Sequence, residues 1–220
     1  MPEAAKIVKA ASAILLDFDG PVTRLMSPKA AAEAAEAARR GLFNAAAPIP
    51  ASLEKSRDHL EVLRHAGTLD RVAIRMTDDA CIKAEVAAAA KADPTDGARE
   101  MLKAAARRGQ EVVIIGNNSP ESIDAFLNRT DLAGYVTLVI GRPPRRPDLM
   151  KPNPFMVRGA LTRLGVPAAE AVMVGDSPSD IEAAVAAKVP AVGFARTAAR
   201  VKSLLGAGAE GVVEDMNEFA

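Results

Sequence analysis

Apolar residues gather in five short runs along the chain: Ala13 to Leu16, Val112 to Ile115, Val136 to Ile140, Ala171 to Val174 and Ala191 to Phe194. They are dense in β-branched and aliphatic side chains, and the first, second and fourth stop abruptly at polar or glycine residues. A run that is apolar at every position fits a strand covered on both faces, as in a parallel sheet. Between the runs, Gly97 to Arg108, Pro120 to Arg129, Pro154 to Leu164, Ser179 to Lys188 and Ala198 to Leu205 carry helical spacing. Strand and helix in alternation predict an α/β chain, a doubly wound parallel sheet of Rossmann-like type. Right-handed crossovers place its helices on both faces.

The alternation stops between Arg24 and Asp93. Pro28 to Arg40, Ser52 to Ala66 and Leu69 to Lys91 read as helices with no strand among them, punctuated by Pro48, Pro50 and Gly67. One crossover rarely needs three helices. The pattern therefore predicts a helical subdomain at residues 24–93, inserted into a core built from residues 1–23 and 94–220; three ordinary crossover helices are the plainer alternative.

Composition narrows the function. The chain has 220 residues, with lysine plus arginine and aspartate plus glutamate at 28 each and a net charge of zero. A chain of this length buries roughly 70 % of its unfolded surface, enough to fold without a disulfide or structural metal. A nucleic-acid binder would show a basic excess and stacking aromatics; aromatics are 3 % here and tryptophan is absent. Cys81 is the single cysteine, which rules out an internal disulfide and a cysteine metal cluster. Met1 to Ala13 mixes charge with small residues, unlike a secretory leader, and no apolar run approaches the roughly 18 residues of a membrane span. The expectation is a soluble cytoplasmic protein without nucleic-acid or membrane partners. The oligomeric state is not legible.

Candidate chemistry lies after the strands, because open α/β sheets bind ligands beyond their strands' carboxyl ends. The first run is followed by Asp17-Phe18-Asp19-Gly20. Carboxylates two apart on extended backbone face one crevice, and Gly20 permits a sharp turn. Such a pair suits a hard cation such as magnesium, although Asp-x-Asp also marks the metal site of nucleotide-sugar glycosyltransferases. After the fourth run comes Gly175-Asp176-Ser177-Pro178-Ser179-Asp180. Asp176 completes a metal shell there; Asp180 is a further ligand, an orienting group or a helix-capping acid. Gly116-Asn117-Asn118-Ser119-Pro120 reads as an N-cap followed by proline, a helix start able to hold an anion or a plain loop into a helix. Lys151-Pro152-Asn153-Pro154 is a stiff loop that holds an ammonium in place, the alternative being a solvated surface lysine.

Acid pair, polar helix start, lysine and acid pair, in that order, resemble the haloacid dehalogenase-like superfamily, in its phosphatase branch with a helical cap inserted after the first motif. Phosphoglycolate phosphatases and β-phosphoglucomutases are of this kind. The resemblance spans nearly the whole chain, and Asp17 to Thr23 together with Gly175 to Asp180 are its most specific parts. It implies a magnesium-dependent hydrolase of a small phosphorylated metabolite. Asp17 would be the nucleophile that forms an aspartyl-phosphate, Asp19 the general acid and then base, and Lys151 the group that neutralises nucleophile and phosphate. Asp17, the main-chain carbonyl of Asp19 and Asp176 would hold magnesium, with Asp180 in support. Gly116 and Asn117 would contact the phosphate together with Lys151.

At Gly116 the chain departs from the family, which usually has threonine or serine there. The missing hydroxyl predicts slow turnover or an altered phosphate pose, since losing one preorganised donor costs on the order of 10²–10³ in rate. Gly116→Ser or Gly116→Thr is then expected to keep or raise turnover. Two other readings stand beside hydrolysis: a sugar phosphomutase that passes the phosphoryl group to sugar, and a catalytically weak binding or regulatory protein. From the inserted segment, Arg57, His59 and Arg75, with Arg24 at its start, are candidates to reach a substrate. His59 and His65 are badly spaced for a helical metal pair, and Cys81 reads as core packing.

Overall fold

The computed structural model describes residues 2–220. Six strands, β1 (Ala13–Leu16), β2 (Glu111–Ile115), β3 (Leu138–Ile140), β4 (Ala171–Gly175), β5 (Ala191–Phe194) and β6 (Gly211–Val213), form one sheet in the order β3-β2-β1-β4-β5-β6. Every pairing is parallel. The strand side chains alternate between two cores. Ile14, Leu16, Val112, Ile114, Val172 and Val174 pack under α1 (Glu3–Ala10) and two later helices, α6 (Ala98–Arg107) and α7 (Pro120–Arg129). Leu15, Val113, Ile115 and Met173 face α8 (Phe155–Leu164), α9 (Pro178–Ala186) and α10 (Ala198–Ala207). A doubly wound α/β sheet results, because each strand is apolar at consecutive positions and needs cover on both sides.

Two elements lie outside the sequence pattern. α1 is a short amphipathic helix, and β6 is a three-residue edge strand beside β5; neither is long enough for its period to stand out. β3 starts at Leu138 rather than Val136, because Ala133–Tyr135 is wound into a 3-10 turn just before it.

Between β1 and α6 lie only helices: α2 (Pro28–Asn44), α3 (Ala51–Glu54), α4 (His59–Ala66) and α5 (Arg71–Ala89). Ala38, Leu42, Val62, Leu63, Ala66, Ala73 and Cys81 give them a small core of their own. The helix expected over Ser52 to Ala66 is broken at residues 55–58. Asp58 takes an extended conformation and its carboxylate accepts the Leu60 N–H at 2.8 Å, which starts α4 afresh. No helix among the described residues is long and apolar enough to cross a membrane.

Candidate active site

β1 lies between β2 and β4, so the chain reverses its order of strand addition at β1, and a crevice opens beyond the three carboxyl ends. Asp17 stands one residue past β1, where its N–H donates to the Val174 carbonyl at 2.8 Å. Lys151, only 2 % exposed, reaches it from the loop after β3. Its ammonium lies 2.5 Å from Asp17 Oδ1 and 2.5 Å from Asp180 Oδ1, and donates to the Ile115 carbonyl at 2.9 Å. The Lys151 main chain is clamped in turn: its N–H donates to Asn117 Oδ1 at 2.8 Å, and Asn117 Nδ2 donates to its carbonyl at 3.2 Å.

Two glycines let the acids close in. Gly20 has φ +133°, and a Cβ there would stand 2.4 Å from Asp176 Cγ. A Cβ on Gly175 would stand 2.3 Å from Asp180 Cβ. Asp180 serves two purposes at once: Oδ2 accepts the Ser177 N–H at 3.0 Å in a capping box at the start of α9, while Oδ1 faces Lys151. Capping, one of the sequence readings of Asp180, is present together with an ion pair to Lys151 that the sequence did not suggest.

Carboxylate oxygens of Asp17, Asp176 and Asp180 lie within 4.8 Å of one another. Burial and then the Asp180 charge push the Asp17 carboxyl well above the usual range, with Lys151 opposing. Asp176 is raised to about 7 by burial, Asp180 and Asp19. One ammonium against three crowded carboxylates leaves a negative excess, and an all-oxygen donor set of this kind fits a hard divalent cation. The Asp19 carboxylate is outside this group. The strand ends at Leu16, and Asp19 Oδ1 instead accepts the N–H groups of Leu25 at 2.8 Å and Met26 at 3.4 Å. Burial raises its pKa, and those two hydrogen bonds hold it partly down.

The second motif differs in detail from the sequence expectation. The Gly116 N–H is used in the sheet, donating to the Ile140 carbonyl at 3.1 Å. The Asn117 side chain is used on Lys151, so neither is free for a phosphate. A Cβ at Gly116 would meet Phe18 Cβ at 3.2 Å and Ile123 Cδ1 at 3.3 Å; a side chain there is tight and needs these neighbours to give by a few tenths of an ångström. Ser119 caps α7, as its sequence suggests, and its N–H donates to Glu85 Oε2 at 2.8 Å. The anion at that helix start is the protein's own.

A cavity of about 500 Å³ covers the cluster, with Asp17, Asp19, Asp176 and Lys151 on one wall and Arg57, His59 and Arg64 from the inserted helices on the other. Of the candidates in the inserted segment, Arg57 and His59 are there. Arg24 and Arg75 line other hollows, because they lie on helix and loop faces turned away. A larger cavity, about 660 Å³, runs along Arg24, Lys91 and Arg196 and contains none of the acidic cluster; the chemistry belongs to the smaller one.

Behind that wall is a buried charge network that sequence reasoning missed. His59 Nε2 lies 2.9 Å from Glu85 Oε1. Arg142, 2 % exposed, donates to Glu85 Oε1 at 2.8 Å, to Asp78 Oδ1 at 2.8 and 3.0 Å and to the Asn117 carbonyl at 2.8 Å. Burial alone would raise the Glu85 pKa, but Arg142 and His59 outweigh it and hold the carboxylate at about 2. The position of Arg142 two residues past β3 was its available signal. Glu85 had a weaker one: with Asp78 and Cys81 it shares the buried stripe of α5.

A family model described as "haloacid dehalogenase-like hydrolase" matches residues 11–188. The phosphoglycolate phosphatase of Rhodospirillum rubrum is 38 % identical over 96 residues, which is 44 % of this chain and 39 % of that protein. That of Neisseria gonorrhoeae is 39 % identical over 87 residues, 39 % of this chain and 35 % of that protein. The chain thus aligns with little more than a third of the length of these curated relatives. Among solved structures, a predicted phosphatase from Clostridium acetobutylicum superposes with a TM-score of 0.71 at 19 % identity, covering 94 % of this chain and 95 % of that one. A Thermotoga maritima protein provisionally assigned as a β-phosphoglucomutase gives 0.62 at 22 % identity, covering 94 % and 96 %. These two likenesses are of fold.

Proposed function

This chain belongs to the haloacid dehalogenase-like hydrolase family, and on that premise we propose that it is a magnesium-dependent phosphatase of a small phosphate monoester, with residues 24–93 as a cap over the site. The observation that carries the reading is the Lys151 ammonium, 2.5 Å from both Asp17 and Asp180 in the same buried cluster as Asp176. A carboxylate attacks a phosphate dianion poorly unless the repulsion between them is removed, and this chain gathers the groups that remove it.

Asp17 is the nucleophile: its carboxylate oxygen bonds to phosphorus as the bond from phosphorus to the leaving alcohol breaks. Asp19 gives its proton to that departing oxygen; its burial favours the protonated form that this step needs. A water then loses its proton to Asp19 and attacks phosphorus, which frees Asp17 and releases inorganic phosphate. Splitting one displacement into two in this way lowers each barrier. Magnesium bound to Asp17, Asp176 and the Asp19 main-chain carbonyl, with Asp180 in support, would supply charge neutralisation and in-line orientation. Lys151 stays protonated throughout: burial opposes its charge, but Asp17 and Asp180 outweigh that and raise its pKa. The Phe18, Asp19 and Asn117 main-chain N–H groups have no partner among the described residues, and they are the donors we assign to the phosphate oxygens.

Asp17→Asn tests the reading. With magnesium and a generic aryl phosphate, turnover is expected to fall by roughly 10⁴-fold or more, with an unchanged circular dichroism spectrum. Full activity in that variant removes Asp17 as nucleophile.

A further inference from the structure

Away from the active cavity, a hollow of about 390 Å³ is lined by Arg71, Val72, Ile74, Arg75 and Arg145, with no acid among its lining residues. The 660 Å³ cavity differs: Glu33, Asp93 and Asp96 there nearly balance Arg24, Lys29, Lys91 and Arg196. Only the smaller hollow has charge of a single sign, and its volume suits a small ligand.

Arg71 and Arg75 are exposed and stand one turn apart near the start of α5. Neither forms an ion pair among the described residues, where the paired arginines are Arg40, Arg142, Arg145 and Arg146. Like charges at that spacing repel, and the positive end of a 19-residue helix adds to the repulsion. The acid beside them, Asp70, is committed to capping: its Oδ1 accepts the N–H groups of Val72 at 2.8 Å and Ala73 at 2.9 Å.

The third arginine comes from the loop after β3, and its backbone is fixed in advance. Arg145 has φ +59°, in the left-handed region, which a residue with a side chain holds only where its surroundings impose it. Here its N–H donates to Asp78 Oδ2 at 2.8 Å, and Arg142 fixes Asp78 in turn. The Arg145 guanidinium itself meets Asp79 at 3.1 Å, with both side chains about half exposed. Water screens such a pair, so it contributes little and yields readily to a more highly charged anion.

We infer that this hollow binds a small molecule with several phosphate charges and an apolar portion, the chemistry of a nucleoside triphosphate. Arg71, Arg75 and Arg145 receive the phosphates, which suit the planar donor fork of a guanidinium. Val72, 47 % exposed, and Ile74 receive the apolar part. None of the three arginines lines the active cavity, so the inference stands apart from the phosphatase reading.

Magnesium-free calorimetry with ATP and with inorganic tripolyphosphate tests it. ATP is expected to bind the native protein, and to bind Arg71→Gln/Arg75→Gln about tenfold or more weakly, since two charge-assisted contacts are lost. Both arginines are exposed, so the variant should keep the native unfolding midpoint; if it does not, Arg75→Gln alone gives the reading, with a smaller loss expected. ATP should bind more tightly than tripolyphosphate, and Val72→Ser should narrow that margin. Unchanged affinity in the double variant overturns the site, as does the absence of ATP binding to the native protein. Binding that is lost in Arg57→Gln and kept in the double variant also overturns it, because the anion would then sit in the active cavity. Tripolyphosphate binding as tightly as ATP overturns the part assigned to Val72 and Ile74.

Discussion

The Lys151 ammonium donates to Asp17 Oδ1 and to the Ile115 carbonyl and forms an ion pair with Asp180. Removing the ammonium would leave the crowded carboxylates without a cation of the protein beside them. Gly116 belongs to the same residue-scale account. Its sequence suggested an absent hydroxyl that serine would restore, but a Cβ there presses on the neighbouring Phe18 Cβ and Ile123 Cδ1. Ile123 can yield at the end of its side chain, whereas Phe18 is constrained at its Cβ next to Asp17. Gly116→Ser is therefore expected to lower stability by about 1–3 kcal/mol, read as a shift of the chemical denaturation midpoint, and to gain no turnover. An unshifted midpoint with faster turnover would return the site to the sequence expectation.

At the scale of elements, the break at residues 55–58 shapes the site more than either long helix does. A continuous helix would carry Arg57 and His59 onward along one axis, whereas the restart at Asp58 turns the beginning of α4 into the cavity. Asp58→Ala is expected to cost about 1 kcal/mol, measured by thermal unfolding, with Asp58→Asn recovering most of the loss because it caps as well. No loss in the alanine variant would mean that packing alone sets the break. The helical period was plain across this region, but a serine and an aspartate inside it carried a stop and a start that periodicity does not register. On α5, Asp78 and Glu85 sit one on each side of Cys81 along a buried stripe. Read in one dimension they are two solvated acids on an alanine-rich helix, and only the approach of Arg142 turns them into core residues.

At the scale of the whole molecule, the Asp78–Arg142–Glu85–His59 network joins the inserted helices to the loops after β2 and β3. Glu85 makes that junction sensitive to pH. Its folded pKa, about 2, lies below the 4.5 of an ordinary glutamate. A depressed carboxylate contributes stability that is complete above the unfolded pKa and is lost as pH falls through the folded one. The window is thus about pH 4.5 down to about pH 2, and the contribution is on the order of 3 kcal/mol. Denaturant titrations across that window should show stability falling more steeply in the native protein than in Glu85→Gln. Parallel curves would mean that the carboxylate is not differentially stabilised in the folded state.

Taken by itself, the chain determined where five of the six strands form, because runs apolar at consecutive positions have only a doubly covered parallel sheet to enter. It also determined which acids stand at the strand ends, since Asp17, Asp19, Asp176 and Asp180 follow directly from where those runs stop. The tertiary structure alone decided what these residues face. Strand order sets β1 between β2 and β4, which draws Asp17 and Asp176 together across 159 positions of chain separation and commits Asn117 to Lys151 rather than to a ligand. Partner choice among charges is a matter of distance and burial in space, and a linear pattern of apolar and polar positions encodes burial on one element at a time. That is why the strand-end acids were visible from the start, while Arg142, Glu85 and the basic residues around Arg64 emerged only once the helices between β1 and β2 lay over the sheet.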